Sequence, residues 1–179
     1  MALWGAGFGA LGWGGWFYAS AALGQAAGQR EFAELESGQT PRSLQEGSII
    51  GRLKLPDGKS VVVFEGTTED QLWAGVGHVM GTSVDLDQGN IALAAHRDTF
   101  FRLLQNVHSG DRIGFSNWSG KAEYQVSWTS IVHPDALDVL RPTPEPSLTL
   151  ITCYPFEFFG HAPERFVVRA TRVSRENRH

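Results

Sequence analysis

Short apolar runs of strand length recur along the chain from residue 48 onward. The first two, SIIGRLKLP and SVVVFEG, flank Asp57-Gly58, a residue pair that favours a tight hairpin turn. Five more runs follow, NIALAAH, DRIGFS, AEYQVSWTSIV, LTLITC and RFVVRAT. Their lengths and their Val, Ile, Thr, Tyr and Phe content are typical of strands. The pattern predicts a mainly β domain.

Two short segments favour helix. Thr68 and Gln71 have the spacing of a capping box, Trp73 follows on the apolar face, and the glycines of the next run, GVG, end the segment. A second helical turn is predicted within Thr99–Asn106. No long helices alternate with the strands, so a parallel α/β sheet is disfavoured. Many short strands with few helices favour a closed or nearly closed, antiparallel-rich barrel.

The first 23 residues break this pattern. Residues 2–23 contain no charged side chain, and a helix of that length spans about 33 Å, enough to cross a bilayer core. The alternative is a signal peptide, because the run ASA at residues 19–21 offers a small-residue cleavage pattern. No Lys or Arg precedes the segment, so neither reading has its usual basic flank. We favour an uncleaved transmembrane anchor over residues 1–24.

A polar stretch separates this hydrophobic helix from the strands. Residues 25–47 are predicted to be a stalk or linker, and residues 48–179 the folded domain. Within the stalk, two arginines stand against four glutamates. A deficit of positive charge beside an anchor suits the outer side of a membrane, so we expect the domain to be extracytoplasmic.

Composition limits the kinds of binding site and reaction that the chain can support. The chain has 179 residues, 42% of them hydrophobic, and a net charge of −4, which disfavours a broad nucleic-acid-binding surface. Its single cysteine, Cys153, excludes an internal disulfide and a multi-cysteine zinc site. A lone cysteine is often a small buried hydrophobe, and it can also be a nucleophile. On its own chemistry Cys153 leaves both interpretations open.

A cysteine nucleophile needs a base and a donor for the developing oxyanion, and the strands offer candidates. Alternation places Cys153 on the face opposite Leu148 and Leu150, and both it and His96 come at strand ends. Arg165 and Arg169 share the polar face of the last strand. Solvated or structural roles remain open for each of them, and six histidines compete for the role of base: His78, His96, His108, His133, His161 and His179.

Three motifs in order resemble the sortase family. TLITC, ending at Cys153, resembles the TLxTC signature, and AAHRDTFF, around His96, resembles the histidine motif AGHRDTFF. APERFVVRA resembles the arginine-bearing final strand, and GVGHVMGT is similar to another family motif, GVGHxxGT. The resemblance covers roughly residues 49–173. The combination of TCYPF with HRDTFF is most similar to class D sortases.

The resemblance implies an eight-stranded β-barrel that carries a membrane-anchored cysteine transpeptidase. Such an enzyme cuts an LPxTG-like sorting signal between Thr and Gly and passes the acyl group to an amine. By matching position, Cys153 would be the nucleophile, His96 the general acid/base and Arg165 the oxyanion or orienting cation. His78 would be structural. The residues expected to contact substrate are Ala95, Thr152, Tyr154 and Arg169.

The implied partners are proteins with an LPxTG-like C-terminal signal and an amine acceptor, either a peptidoglycan precursor or a pilin lysine. The proline-rich connection at residues 133–146 is expected to line the signal-binding groove. No cofactor is expected, and calcium activation stays open because the nearby acidic residues do not form a dense cluster. One departure from the family is Ala95, which stands where a glycine usually precedes the histidine.

Three rival interpretations remain. An L,D-transpeptidase would need an SHGC-type run, and no His or Gly directly precedes Cys153. A papain-like hydrolase would usually have its cysteine before its histidine, the reverse of the order here. An inactive barrel that binds envelope peptides differs from the enzyme only in activity.

Overall fold

The computed structural model describes residues 44–157 and 160–173. The predicted anchor and most of the stalk lie outside these residues. Within the described residues, no helix combines the length and apolar character that crossing a membrane requires. The strands are β1 Ile49–Lys54, β2 Ser60–Glu65, β3 Val76–His78, β4 Asn90–Ala94, β5 Arg112–Asn117, β6 Gly120–Val132, β7 Ser147–Tyr154 and β8 Glu164–Arg172. Within residues 44–157 and 160–173, one α-helix, α1, spans Glu69–Ala74, and two 3-10 segments span Arg102–Asn106 and Leu137–Leu140.

The eight strands close into a barrel in the order β1-β2-β3-β4-β7-β8-β6-β5, with β5 returning to β1. Six of the eight pairings are antiparallel, and β2–β3 and β4–β7 are parallel. The prediction of a mainly β, closed, antiparallel-rich barrel with few helices is confirmed. The predicted N-terminal helix lies outside the described residues.

Strand alternation sorts the side chains between the barrel interior and its outer face. In β7, Leu148 and Leu150 point inward and are fully buried, while Cys153 lies on the outer face. The 3-10 segment after β4 adds Leu104 to the core, and Phe101 just before it is also fully buried. This packing holds the strand ends that carry the candidate site.

Two local details differ from the predictions, and one agrees with them. Strand β3 was not predicted, because it has only three residues and lies inside the glycine-containing GVGH run. Gly77 in that strand passes so close to its neighbour that a Cβ there would lie 2.4 Å from the Gly66 carbonyl oxygen. The predicted turn at Thr99–Asn106 forms as a shorter 3-10 segment. Helix α1 forms as predicted, with Thr68 as its N-cap and Gly75 as its C-cap.

Candidate active site

Cys153 and Arg165 are direct partners in the antiparallel β7–β8 ladder. Residues directly opposite each other in such a pair point to the same face, with Cα atoms about 4.5–5.5 Å apart. The thiol and the guanidinium therefore both leave the outer face of the barrel at one end of these strands. Cys153 is a free, partly buried cysteine.

His96 reaches the same end of the barrel from β4. Strands β4 and β7 run parallel, with Ala94 beside Ile151, so the register carried two residues further brings His96 level with Cys153. The Ala95 amide donates to the Ile151 carbonyl at 3.3 Å, which extends the pairing to the residue before the histidine. Register and direction thus bring the predicted histidine and cysteine to the same end of the barrel.

Thr152 joins these two chain segments through its side chain. Its Oγ1 atom donates a 2.7 Å hydrogen bond to the Ala95 carbonyl oxygen, and both residues are buried. The backbone before His96 is therefore tied to the residue before Cys153. The contact gives Thr152 and Ala95 a bracing role, and their predicted contact with substrate remains a prediction.

The His96 side chain lies under an aromatic ring of α1. Its imidazole centroid is 4.9 Å from the Trp73 ring, with the planes tilted by 48°. Its Nε2 atom is buried and has no hydrogen-bond partner among the residues that the structure describes. The His96 carbonyl oxygen accepts a 3.2 Å bond from the Phe101 amide, which fixes the turn after the strand.

Arg165 is held at the start of β8 by the chain that precedes it. Its Nη1 atom donates to the carbonyl oxygens of Ala162, at 3.2 Å, and Glu164, at 2.9 Å. The side chain is half-buried. These two bonds orient a planar fork of donors on the face that it shares with Cys153.

Arg169 also lies on that face, four residues after Arg165 in β8 and therefore further from the strand end. It pairs with Thr149 and is 9% exposed. Its Nη2 atom donates to the Val139 carbonyl oxygen at 2.7 Å, and its guanidinium lies 5.5 Å from the Trp128 ring centroid. Burial lowers the pKa of Arg169 below its usual value. The structure gives Arg169 a supporting role inside the protein, and its predicted contact with substrate remains a prediction.

A buried polar network fastens the β6–β7 connection to this face. Asn90 Nδ2 donates to the Val139 carbonyl at 2.9 Å and to the Arg141 carbonyl at 3.3 Å, while its Oδ1 accepts from Thr149 Oγ1 at 2.6 Å. Val139 thus receives bonds from both Asn90 and Arg169. The connection expected to line a substrate groove is anchored to the barrel wall at its middle.

Tyr154, the remaining residue expected to contact substrate, belongs to an aromatic cluster at the end of β7. Its ring is stacked on Phe166 at 6.3 Å and meets Phe156 edge-on at 6.0 Å. The Tyr154-Pro155 peptide bond is cis. The cluster packs the chain that leaves Cys153 against the first residues of β8, and Tyr154 stays partly accessible.

Two functional candidates were missed by sequence reasoning. Trp73 was assigned to an apolar helix face, yet it is 45% exposed and covers His96. Asn90 was treated as the first residue of an apolar strand, and it organises the network around Val139. A polar residue opening a fully buried strand was the available signal for Asn90, because buried amides need partners.

Other features of the molecule do not join this group. His78, predicted to be structural, is buried in β3 and bonded to Glu65. In the described part of the chain no three His, Cys, Asp or Glu side chains form a metal-binding group. A cleft of about 770 Å³ lies across β1, β5 and β6, with Arg52, Lys54 and Arg112 in its lining, and it contains none of the Cys153 group.

The family model and the similar proteins of known identity all point to one family. The sortase domain model matches residues 53–173. Sortase D of Bacillus subtilis (strain 168) is 30% identical over 152 residues, which cover 84% of this chain and 77% of that protein. Sortase A of Bacillus anthracis is 31% identical over 116 residues, covering 62% of this chain and 55% of that one.

Solved structures agree at the level of the fold. A sortase D5 transpeptidase of Clostridium perfringens superposes with a TM-score of 0.73 at 22% identity, covering 87% of this chain and 99% of that one. Sortase C of C. perfringens with the C-terminal cell wall sorting motif gives a TM-score of 0.67 at 26% identity, covering 83% and 87%. The predicted likeness to class D is confirmed, and the chain belongs to the sortase family of cysteine transpeptidases.

Proposed function

We propose that this protein cleaves an LPxTG-like sorting signal through a thioacyl intermediate on Cys153 and transfers the acyl group to an amine. The observation that carries the proposal is the shared register of three strands. It brings Cys153, Arg165 and His96 to one end of the β4–β7–β8 surface.

In the first half-reaction the Cys153 thiolate attacks the carbonyl carbon of the signal's threonine, and a carbon–sulfur bond forms. The carbonyl oxygen gains negative charge, and the Arg165 guanidinium donates hydrogen bonds to it. The carbon–nitrogen bond to glycine then breaks, and protonated His96 gives its proton to the leaving amine. A thioester on Cys153 and a neutral imidazole remain.

The second half-reaction reverses the proton transfer. An incoming amine attacks the thioester carbonyl, neutral His96 takes its proton, and the Cys153 thiolate leaves with the electron pair of the carbon–sulfur bond. A new amide joins the threonine to the acceptor, and the thiolate–imidazolium pair is restored. One histidine therefore serves as acid and then as base.

The substrate assignment is supported by the sorting-signal peptide named with the C. perfringens sortase C structure, a 26% identical protein of the same fold. The acceptor would be a primary amine, from a peptidoglycan precursor or from a pilin lysine. We expect this processing to take place outside the cytoplasm. The uncharged N-terminal segment, residues 1–24, would then anchor the barrel to the outer side of the membrane through the stalk.

The experiment is a product analysis with an active-site control. The chain is incubated with a library of sorting-signal peptides and a small primary amine, and products are identified by mass. We expect cleavage after threonine, an amide-linked product and a Cys153 adduct that is released by hydroxylamine. Cys153→Ala should remove all three, because alanine offers no nucleophile. Turnover by Cys153→Ala at a rate near that of the original chain would reject the assignment. A folded chain that binds these peptides without turnover would instead support the inactive barrel.

A further inference from the structure

The Trp73 side chain is partly exposed and also contacts the His96 ring. Its side chain is 45% exposed, yet its ring centroid is 4.9 Å from that of His96. The two planes are tilted by 48°, so the indole meets the imidazole at an angle instead of stacking flat on it. A large, partly exposed apolar ring therefore contacts the partly buried imidazole.

The indole is fixed in place by its own helix. Trp73 Nε1 donates a 3.1 Å hydrogen bond to Glu69 Oε2, one turn earlier in α1. The helix has a capped start, where the Thr68 amide donates to Gln71 Oε1 at 2.9 Å, and the Gly75 amide closes its end on the Gln71 carbonyl. A ring bonded to a capped helix keeps its orientation, so it can hold a neighbour in turn.

His96 also has one ring nitrogen, Nε2, that is buried. It has no hydrogen-bond partner within the described residues, although leaving a buried polar atom unpaired is costly. Such unpaired groups are uncommon in folded proteins and are found at sites of chemistry. No group within the described residues competes by hydrogen bonding for this nitrogen.

We propose that Trp73 is a positioning residue for His96, holding the imidazole in one orientation and excluding bulk water from Nε2. Shielding is a property of the folded chain, and its catalytic consequence rests on the proposed function. With water excluded, the imidazolium and the thiolate interact in a medium of lower dielectric constant, where charge–charge attraction is stronger. A fixed ring also keeps the transferable proton within reach of the reacting nitrogen.

Chemical labelling tests the shielding without a substrate. Diethyl pyrocarbonate acylates accessible, unprotonated imidazole nitrogens, and mass spectrometry locates the products. Two histidines of the same chain calibrate each sample, because His133 has a 73% exposed side chain and His78 is 1% exposed. We expect His96 to be labelled slowly in the original chain and several-fold faster in Trp73→Ala. Trp73→Phe, which keeps a ring over the imidazole, should stay close to the original rate.

A matched tryptophan controls for general loosening. Trp128 on β6 is 41% exposed and contacts Arg169 of β8, so Trp128→Ala should leave His96 labelling unchanged. If Trp73→Ala does not fold, Trp73→Leu, which keeps an apolar side chain but no ring, carries the same expectation. An unchanged His96 labelling rate in a folded ringless variant would overturn the proposal, whatever happens to activity.

Steady-state kinetics test whether Trp73 affects catalysis by orienting His96. With one peptide and one amine, Trp73→Ala should lower kcat roughly 10- to 100-fold while KM changes little, because the lost element is orientation of the acid/base. Trp73→Phe should recover most of kcat. Faster labelling with unchanged kcat would overturn the positioning role. Faster labelling in a chain that turns over none of the peptides would support the shield and count against the proposed function.

Discussion

Glu65 Oε2 and His78 Nδ1 lie 2.9 Å apart inside the barrel wall, with both side chains almost fully buried. The other ring nitrogen of His78 faces the Ser83 carbonyl at 3.1 Å and the Thr82 hydroxyl at 2.9 Å. That hydroxyl already donates to the Val79 carbonyl, so it meets the ring as an acceptor. Hydrogen-bond acceptors therefore face both ring nitrogens of His78, and its contact with Glu65 joins β2 to β3 as a structural element.

Substitution of His96 should therefore lower turnover, whereas substitution of His78 should lower stability. His96→Ala should lower turnover by about 10²–10⁴ with little change in thermal stability, because general acid/base catalysis contributes that much. His78→Ala should cost about 3–5 kcal/mol of unfolding free energy, because it leaves the Glu65 carboxylate buried without its partner. Denaturant unfolding and steady-state rates, both measured where the variant is folded, separate the two. A His78→Ala variant that is fully folded but inactive would show that His96 was wrongly assigned as the base.

Arg165 and Arg169 form a second contrasting pair. Arg165→Ala should lower turnover about 10²–10³-fold, the usual effect of removing an oxyanion donor. Arg165→Lys should recover only part, because lysine supplies the charge without the planar fork. Arg169→Ala should act mainly on stability, at about 1.5–3 kcal/mol, through the lost bond to the Val139 carbonyl. Normal turnover in Arg165→Ala beside an inactive, stable Arg169→Ala would reverse the two assignments.

Asn90 should control the β6–β7 connection from a distance. Asn90→Ala removes both bonds that its amide donates to the connection and leaves Thr149 Oγ1 without its acceptor. We expect faster amide hydrogen exchange across residues 133–146 and a higher KM, with kcat less affected. Ser119→Ala, a polar truncation in the β5–β6 turn, is a suitable control. Unchanged exchange in Asn90→Ala would show that the connection is held by other contacts.

Tyr124 should make the folding stability depend on pH in the alkaline range. Its ring is fully buried, and its hydroxyl donates a long, 3.5 Å bond to the Leu86 carbonyl. Burial raises the pKa of Tyr124 to about 12 from 10.0, because the phenolate would lose its hydration. Asp87 and Asp85 raise this pKa further, and Arg172 opposes them.

A pKa that is higher in the folded state than in the unfolded state favours folding only while the group stays protonated. The contribution of Tyr124 should be complete below pH 10 and should fall as the pH rises through about 12, by about 2–3 kcal/mol in all. Comparing unfolding free energies of the original chain and Tyr124→Phe from pH 9 to 12 isolates it. Parallel curves for the two proteins would contradict the assignment.

The strands were predictable because each is a local run of β-forming residues, and only β3 was too short to be recognised. The cysteine and histidine were placed on accessible strand ends by alternation alone. Pairing order was beyond local reasoning, since the parallel contact of β4 with β7 joins segments 57 residues apart. The role of Trp73 was equally hidden. A helix pattern shows which side is apolar, and it does not show that this side rests on a histidine from another strand.

The relation of Cys153 to Arg165 is one of register, and this has an evolutionary consequence. Most side chains around the pair can change while the ladder between β7 and β8 keeps the two residues opposed. Removing or adding a single residue within either strand turns every later side chain to the other face, because the strand repeat is two residues. Such a change in β7 before Cys153 would send the thiol into the barrel interior, and one in β8 would turn over the side chains that follow Arg165. Variation among sortase chains of this design should therefore accumulate as substitutions within β7 and β8, and as length changes only in the connections outside them.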